Sequence, residues 1–296
     1  MMNKVALIGC GAMGGAIGKR LVEIGDDLNV YDLDTAAMAR LEAIGATAAG
    51  SAAEAATDRD FVILSLNAAA IVRAAVFGGS GVAEGAARGT LIIDMSSIDP
   101  PSTIVLAQEA AERGLAWVDA PLSGGIPKVK TGDLTVMAGG DPESFEAARA
   151  VMSGLCANFT HMGPSGAGQT TKLINQVLCG LGFMAVAEAT RLAQDAGVNA
   201  EMIPQALRGG RADSAILQEY MPRMAGRDYT PTGRIANMVK DLNGAQDLAR
   251  LTNTAMPLTA ACAEVHRLMT ASGFGDADQA ALMEFFSERD TSGLPT

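Results

Sequence analysis

The chain has 296 residues, 49% of them hydrophobic and 19% charged, the balance of an ordinary folded protein long enough for two domains. Its 33 acidic and 22 basic residues leave a net charge of −11, a field that repels phosphodiester chains and anionic lipid, so nucleic acid is not an expected partner. No run of about 18 uninterrupted apolar residues occurs and "MMNKVALIGCG" lacks the pattern of an export leader, so no membrane partner is expected and the cytoplasm is the expected compartment.

From Lys4 to about Met162, short apolar runs alternate with helix-like segments, the pattern of β-α-β units around a parallel sheet. Strands are expected at 4–9 "KVALIG", 28–32 "LNVYD", 46–49 "ATAA", 61–66 "FVILSL", 90–95 "TLIIDM", 115–120 "LAWVDA", 134–139 "LTVMAG" and 157–162 "ANFTHM". Ser51 with Glu54 spells a capping box, Pro100 with Pro101 and "DPES" at 141–144 read as helix starts, and Gly25, Gly45 and Gly114 as helix ends. Beyond "GPSGAG" at 163–168 the alternation stops and the remainder reads as helix. The expected fold is therefore α/β, a Rossmann-type doubly wound sheet over 1–163, followed by an all-α domain over 164–296 that a long helix joins to it. That helix runs from about Gly168 to Ala196 with apolar residues all around its axis, as in a domain centre or a subunit interface, so a homodimer or homotetramer is expected.

Gly9, Gly11 and Gly14 form G-x-G-x-x-G between the first strand and the first helix. There a tight turn, a close approach of pyrophosphate and close helix packing each need glycine. Asp32 ends the second strand, where a carboxylate accepts from the adenosine ribose hydroxyls or else caps the next turn. Leu33 and Asp34 supply no arginine for a 2′-phosphate, so NAD is expected over NADP, with NADP still possible. Cys10, Cys156, Cys179 and Cys262 have no metal-ligand spacing, no metal is expected, and His161 and His266 read as packing or surface residues.

With histidine scarce, lysine is the next candidate for proton transfer. Lys172, Asn175 and Gln176 share one face at the head of the long helix, where Lys172 is either partly desolvated for acid/base work or snorkels to solvent. Resemblance adds more. Four segments over essentially the full length, "GCGAMG" (9–14), "DAPLSGG" (119–125), "GAGQTTKLINQ" (166–176) and "KDLNGA" (240–245), resemble those of the β-hydroxyacid dehydrogenase family, which includes 3-hydroxyisobutyrate dehydrogenases and tartronate semialdehyde reductases.

That resemblance implies Lys172 as the catalytic acid/base and Ser123, Gly124, Gly125 and Asn175 as holders of a small carboxylate substrate. It assigns Gly9, Gly11, Ala12, Met13, Gly14, Asp32, Leu66, Asn67, Ser97 and Lys240 to the cofactor. Asn67 and Leu122 depart from the family's usual proline and valine. The implied activity is NAD(H)-dependent interconversion of a 3-hydroxy acid and its 3-oxo acid. "ALRGGRADS" (206–214), "GRIANMVKDLNGA" (233–245) and Gln176 most resemble tartronate semialdehyde (2-hydroxy-3-oxopropionate) reductases. Oxidation of 3-hydroxyisobutyrate, threonate or another 3-hydroxy acid is the alternative, and a non-catalytic dinucleotide-binding reader the alternative of a different class.

Overall fold

The computed structural model describes residues 2–286, and the chain divides into two compact units, Met1–Lys172 and Leu173–Thr296. The first unit runs β1 (Lys4–Ile8), α1 (Ala12–Glu23), β2 (Asp27–Tyr31), α2 (Thr35–Glu42), β3 (Thr47–Ala48), α3 (Ala52–Ala56) and β4 (Phe61–Leu64). It continues with α4 (Ala69–Phe77), α5 (Val82–Gly85), β5 (Leu91–Asp94), α6 (Pro100–Glu112), β6 (Ala116–Asp119) and β7 (Leu122–Ser123). Then come α7 (Gly125–Thr131), β8 (Leu134–Gly139), α8 (Pro142–Met152) and β9 (Cys156–Gly163).

The sheet order is β3-β2-β1-β4-β5-β6-β8-β7, with β9 on β8. Strands β1 to β6 pair in parallel in the order 3-2-1-4-5-6 of a doubly wound dinucleotide fold. β8 then runs antiparallel to β6 and β7 and parallel to β9. The central strands are apolar on both faces because both are covered. Val5, Leu7, Ile63 and Ile93 pack with Ile17 and Leu21 of α1 in one core, while Ala6, Ile8, Val62, Leu64 and Ile92 fill the other. All eight expected strands are present. The two-residue β7 was not expected, since a bridge that short carries no hydrophobic period.

Local chemistry sets the helix starts. Asp99 and Asp141 cap α6 and α8 by accepting from Ser102 N–H (2.8 Å) and Ser144 N–H (2.9 Å), each ahead of a proline. Ser51 Oγ accepts from Glu54 N–H as expected, but Glu54 answers at Gly50 N–H, one residue earlier than a capping box would place it.

Among its described residues the second unit is built of helices joined by loops, with one isolated β-bridge between Arg234 and Asp278. Helix α9 (Ala167–Asp195) passes into it after Lys172, and α10 (Ile203–Leu207), α11 (Ala215–Ala225), α12 (Ile235–Thr252) and α13 (Pro257–Met269) follow. By length and composition α9 would suffice to cross a bilayer. Even so, its Phe183, Val186 and Ala187 lie in a core with Leu217, Tyr220, Met221, Leu242 and Cys262, as in the central helix of a globular unit. Buried Asp278 pairs with Arg223 at 3.1 Å and accepts from Thr232 N–H (2.6 Å) and Gly233 N–H (3.0 Å), pinning the segment before α12. His266 is buried between Cys262 O and Gln279 Oε1, a packing role.

The turn from β1 into α1 depends on glycine at 14: a Cβ there would sit 1.8 Å from Gly9 O. Gly14→Ala is expected to destabilise the protein by about 1–3 kcal/mol or more and to weaken dinucleotide binding; denaturant melts and a fluorescence titration with NADH check both.

Candidate active site

The reversal of strand order between β1 and β4 leaves a crevice at their carboxyl ends, where doubly wound folds bind their ligands. Gly9 follows β1 with φ +97°, and a side chain there would strike Ser65 O at 2.4 Å and Leu66 Cδ2 at 2.9 Å. A Cβ on Gly11 would meet nothing within 4 Å, so the backbone at the start of α1 is open to an approaching phosphate. Ala12 is exposed, Met13 half-buried and Gly14 buried against Gly9, so the loop presents amides outward and packs inward. These residues fit a dinucleotide pyrophosphate.

Asp32, half-buried just past β2, does two things. Its Oδ2 accepts from Cys10 N–H (2.5 Å), which ties it to the glycine loop, and its Oδ1 accepts from Asp34 N–H (2.8 Å), which shapes the turn into α2. Asp34 in turn caps α2 through Ala36 N–H and Ala37 N–H. Burial, then the neighbouring Asp32, push the Cys10 thiol up to about 12, so it stays protonated and is no nucleophile. A groove beside the loop is lined by Gly11, Ala12, Lys19 and Arg40, cations that a reading confined to the residues after Asp32 missed.

Behind the crevice lies a buried polar hub. Ser96 Oγ accepts from Leu66 N–H (3.0 Å), and Ser96 O accepts from Gln169 Nε2 (2.7 Å), while Gln169 Oε1 accepts from Ile98 N–H (3.3 Å). Ser97 lies half-buried between these anchors, whereas Asn67 is exposed. Asp94 and Asp119 are register partners on β5 and β6, both fully buried. Asp119 accepts from Gly166 N–H (2.8 Å) and Gln169 N–H (2.9 Å) at the start of α9. Asp94 Oδ1 accepts from Ser96 N–H (3.0 Å), but its Oδ2 has no partner among the described residues. Burial, with the Asp119 charge adding to it, pushes Asp94 up to about 7. Burial also raises Asp119, against the pull of its backbone donors.

Ser123 sits on β7 opposite Thr135, and Gly124 (φ +118°) and Gly125 (φ +65°) follow in the left-handed region, where a side chain would be strained. Lys172 is half-buried on α9, two residues after the Thr170 N–H that bonds to Gly166 O. Past it, in the second unit, two hydrogen bonds and an ion pair link the later motif residues. Asn175 Nδ2 donates to Gln176 Oε1 (2.9 Å), Gln176 Nε2 donates to Asp241 Oδ2 (2.5 Å), and Lys240 Nζ lies 4.0 Å from Asp241 Oδ1. Asp241, unassigned by sequence reasoning, connects the segments "KLINQ" and "KDLNGA". Its position inside a motif was the available signal. Asp119 and Gln169 were missed as well, though both stand inside quoted motifs.

Two family models match the chain. One is the NAD binding domain of 6-phosphogluconate dehydrogenase over residues 4–163, the other the NAD-binding domain of NADP-dependent 3-hydroxyisobutyrate dehydrogenase over residues 166–286. The chain is 34% identical to the NAD-dependent L-serine dehydrogenase of Pseudomonas aeruginosa, covering 96% of this chain and 98% of that one. It is also 34% identical to the 2-hydroxy-3-oxopropionate reductase of Escherichia coli, covering 95% and 96%. The solved structure of Mycobacterium tuberculosis 3-hydroxyisobutyrate dehydrogenase with L-serine superposes with a TM-score of 0.89 at 28% identity, over 97% of this chain and all of that one.

Fold and site thus define a nicotinamide-dinucleotide-dependent dehydrogenase acting on a CH–OH group. The chain belongs to the β-hydroxyacid dehydrogenase family.

Asp94 holds its proton more tightly folded than unfolded, where the ordinary carboxylate value is 3.8. The native state therefore binds the extra proton between about pH 4 and 7, and this group's contribution to stability falls as pH rises through that window. Asp94→Asn keeps an acceptor for Ser96 N–H without charge. It is expected to be more stable than the parent at pH 8 by roughly 1–3 kcal/mol, with a smaller gain at pH 5, measured by denaturant melts. An equal gain at both pH values would place its cause elsewhere.

Proposed function

We propose that the protein is an NAD(H)-dependent reductase of 2-hydroxy-3-oxopropionate, running reversibly to glycerate, with Lys172 as its acid/base. The observation that carries this reading is the setting of Lys172, half-buried in the opening turns of an apolar helix whose start is hydrogen-bonded into the dinucleotide-binding unit. The E. coli reductase relative, at 34% identity over nearly the whole chain, supports the substrate.

When bound, the nicotinamide supplies the hydride donor or acceptor. In reduction the Lys172 ammonium gives its proton to the developing alkoxide; in oxidation its neutral amine takes the proton of the 3-hydroxyl. Ser123 offers a hydroxyl and Gly124 and Gly125 accessible amides to the substrate carboxylate, and Asn175 adds an amide donor. Gly9, Gly11, Ala12, Met13 and Gly14 receive the pyrophosphate and Asp32 the ribose hydroxyls, while Leu66, Asn67, Ser97 and Lys240 contact the rest of the nucleotide. Asp32 and Asp34 oppose a 2′-phosphate, which favours NAD; Arg40 and Lys19 in the adjoining groove are the features that would favour NADP.

A second reading, oxidation of L-serine, is favoured by the equally similar P. aeruginosa relative. Serine, too, carries its hydroxyl on the 3-carbon of a small acid. Rates with 2-hydroxy-3-oxopropionate, glycerate, 3-hydroxyisobutyrate, threonate and L-serine, each with NAD(H) and NADP(H), separate these readings. Lys172→Ala is expected to lower the rate by about 10²–10⁴ while NADH still binds, and undiminished turnover would overturn the assignment.

We also infer that the chain self-associates through α9. Ile174, Leu178 and Leu192 are 55%, 67% and 70% exposed. They recur on one helix face, since Ile174 and Leu192 lie about five turns apart. A dimer or tetramer in sedimentation at micromolar concentration is expected; a monomer would refute it.

A further inference from the structure

The start of α9 lacks a cap of its own. Helices favour Ser, Thr, Asp or Asn just before their first turn, with a side-chain oxygen accepting the N–H two or three residues on. Here that position is Gly166 (φ +90°), which has no side chain to offer. The acceptor comes instead from β6: Asp119 takes Gly166 N–H at 2.8 Å on one oxygen and Gln169 N–H at 2.9 Å on the other. The seat is closed to larger residues. A Cβ on Gly139 would lie 2.6 Å from Asp119 Oδ1, and one on Gly168 would lie 2.5 Å from Met137 O and 2.7 Å from Asp119 Oδ2. Glycines at 139 and 168 therefore let the helix start press directly onto β6 and β8.

Gln169 adds a second tie, with its side chain donating to Ser96 O and accepting from Ile98 N–H. Three residues further along the helix, a rise of about 4.5 Å, stands Lys172. We propose that Asp119, with Gln169 beside it, is the positioning residue for Lys172, holding the first turn of α9 so that the lysine amine meets the reacting oxygen.

The inference rests on the acid/base role proposed for Lys172. Its physical content is leverage. The lysine amine ends a flexible four-carbon stem, so looseness at the helix start is carried to the amine, and a misplacement of about 1 Å is enough to cost a hundredfold in rate. An anion at a helix start favours the helix through its dipole, and the backbone N–H donors pull Asp119 towards its charged form, although burial outweighs that pull. Asp119 further ends β6 three residues before β7, the strand that carries Ser123, so in sequence it adjoins the proposed carboxylate site. Two roles are thereby opposed. A residue that positions Lys172 acts on kcat, whereas one that merely shapes the Ser123 loop acts on KM.

Asp119→Asn preserves size but replaces one accepting oxygen with a donor facing an N–H. With the fastest substrate of the activity screen, it is expected to lower kcat about 10- to 100-fold, with KM and the NADH dissociation constant within about threefold of the parent. Combined with Lys172→Ala, it is expected to add less than about a threefold further loss, because the group it positions is already gone. Amide hydrogen exchange at residues 166–172 is expected to quicken in Asp119→Asn even without substrate.

A full additional loss in the Lys172→Ala background, or a loss confined to KM, would overturn the positioning role. If Lys172→Ala alone turned over normally, the acid/base assignment would fall instead, and unchanged exchange at 166–172 would count against Asp119 independently. Should Asp119→Asn fail to fold, Gln169→Ala keeps the backbone cap and removes the second tie. It is expected to lower kcat by about 3- to 30-fold with the same lack of additivity, and an additive loss there would overturn the inference equally.

Discussion

One buried carboxylate, Asp119, fixes how the start of α9 is seated on the sheet of the first unit. Asp119 closes β6 and accepts two buried N–H groups at the α9 start, those of Gly166 and Gln169, joining a strand end to a helix head 47 residues away. A helix start buried without acceptors would leave unsatisfied donors, each costing about 1–3 kcal/mol. The arrangement is therefore held by the same desolvation that makes it costly to disturb. Asp94, its register partner, fully buried with one oxygen unpartnered among the described residues, is, like Asp119, driven towards the neutral form.

From that hub polar contacts run outward to the start of α9 and to Leu66. Ser96 joins Gln169 to Leu66, which borders the glycine loop through the space denied to a side chain at Gly9. Asp32 joins the same loop to the start of α2 through Cys10 N–H and Asp34 N–H. The crevice is thus lined by loops whose backbones are fixed from behind, and fixed backbones are what allow amides to be aimed at a phosphate or a carboxylate. In the second unit the corresponding link is Asp241 on α12, which accepts from Gln176 of α9, 65 residues away in sequence, beside its own neighbour Lys240.

Much of this was legible beforehand. The strands of the first unit stand where apolar runs stand, because a parallel sheet covered on both faces demands uninterrupted burial. Helix starts at Asp99 and Asp141 follow from proline and carboxylate chemistry confined to four residues. By contrast, β7 is too short to carry a period, and the Glu54 carboxylate accepts from Gly50 N–H, one residue from its expected partner. Arg40, eight positions past Asp32, reached the glycine-loop groove only through the packing of α2.

The sequence by itself determined the doubly wound unit, the helical unit after it and the family to which the chain belongs, since these rest on periodicity and on motifs whose residues are neighbours along the chain. Tertiary structure alone decided that Asp119 caps the helix bearing Lys172, that Gln169 ties it to the Ser96 turn, and that Asp241 bridges two motifs. A missing side chain at Gly166 is visible in the sequence, but the identity of its substitute is not. Hydrogen-bond partners separated by 47 or 65 residues are chosen by how strands and helices pack, and no local pattern encodes that choice.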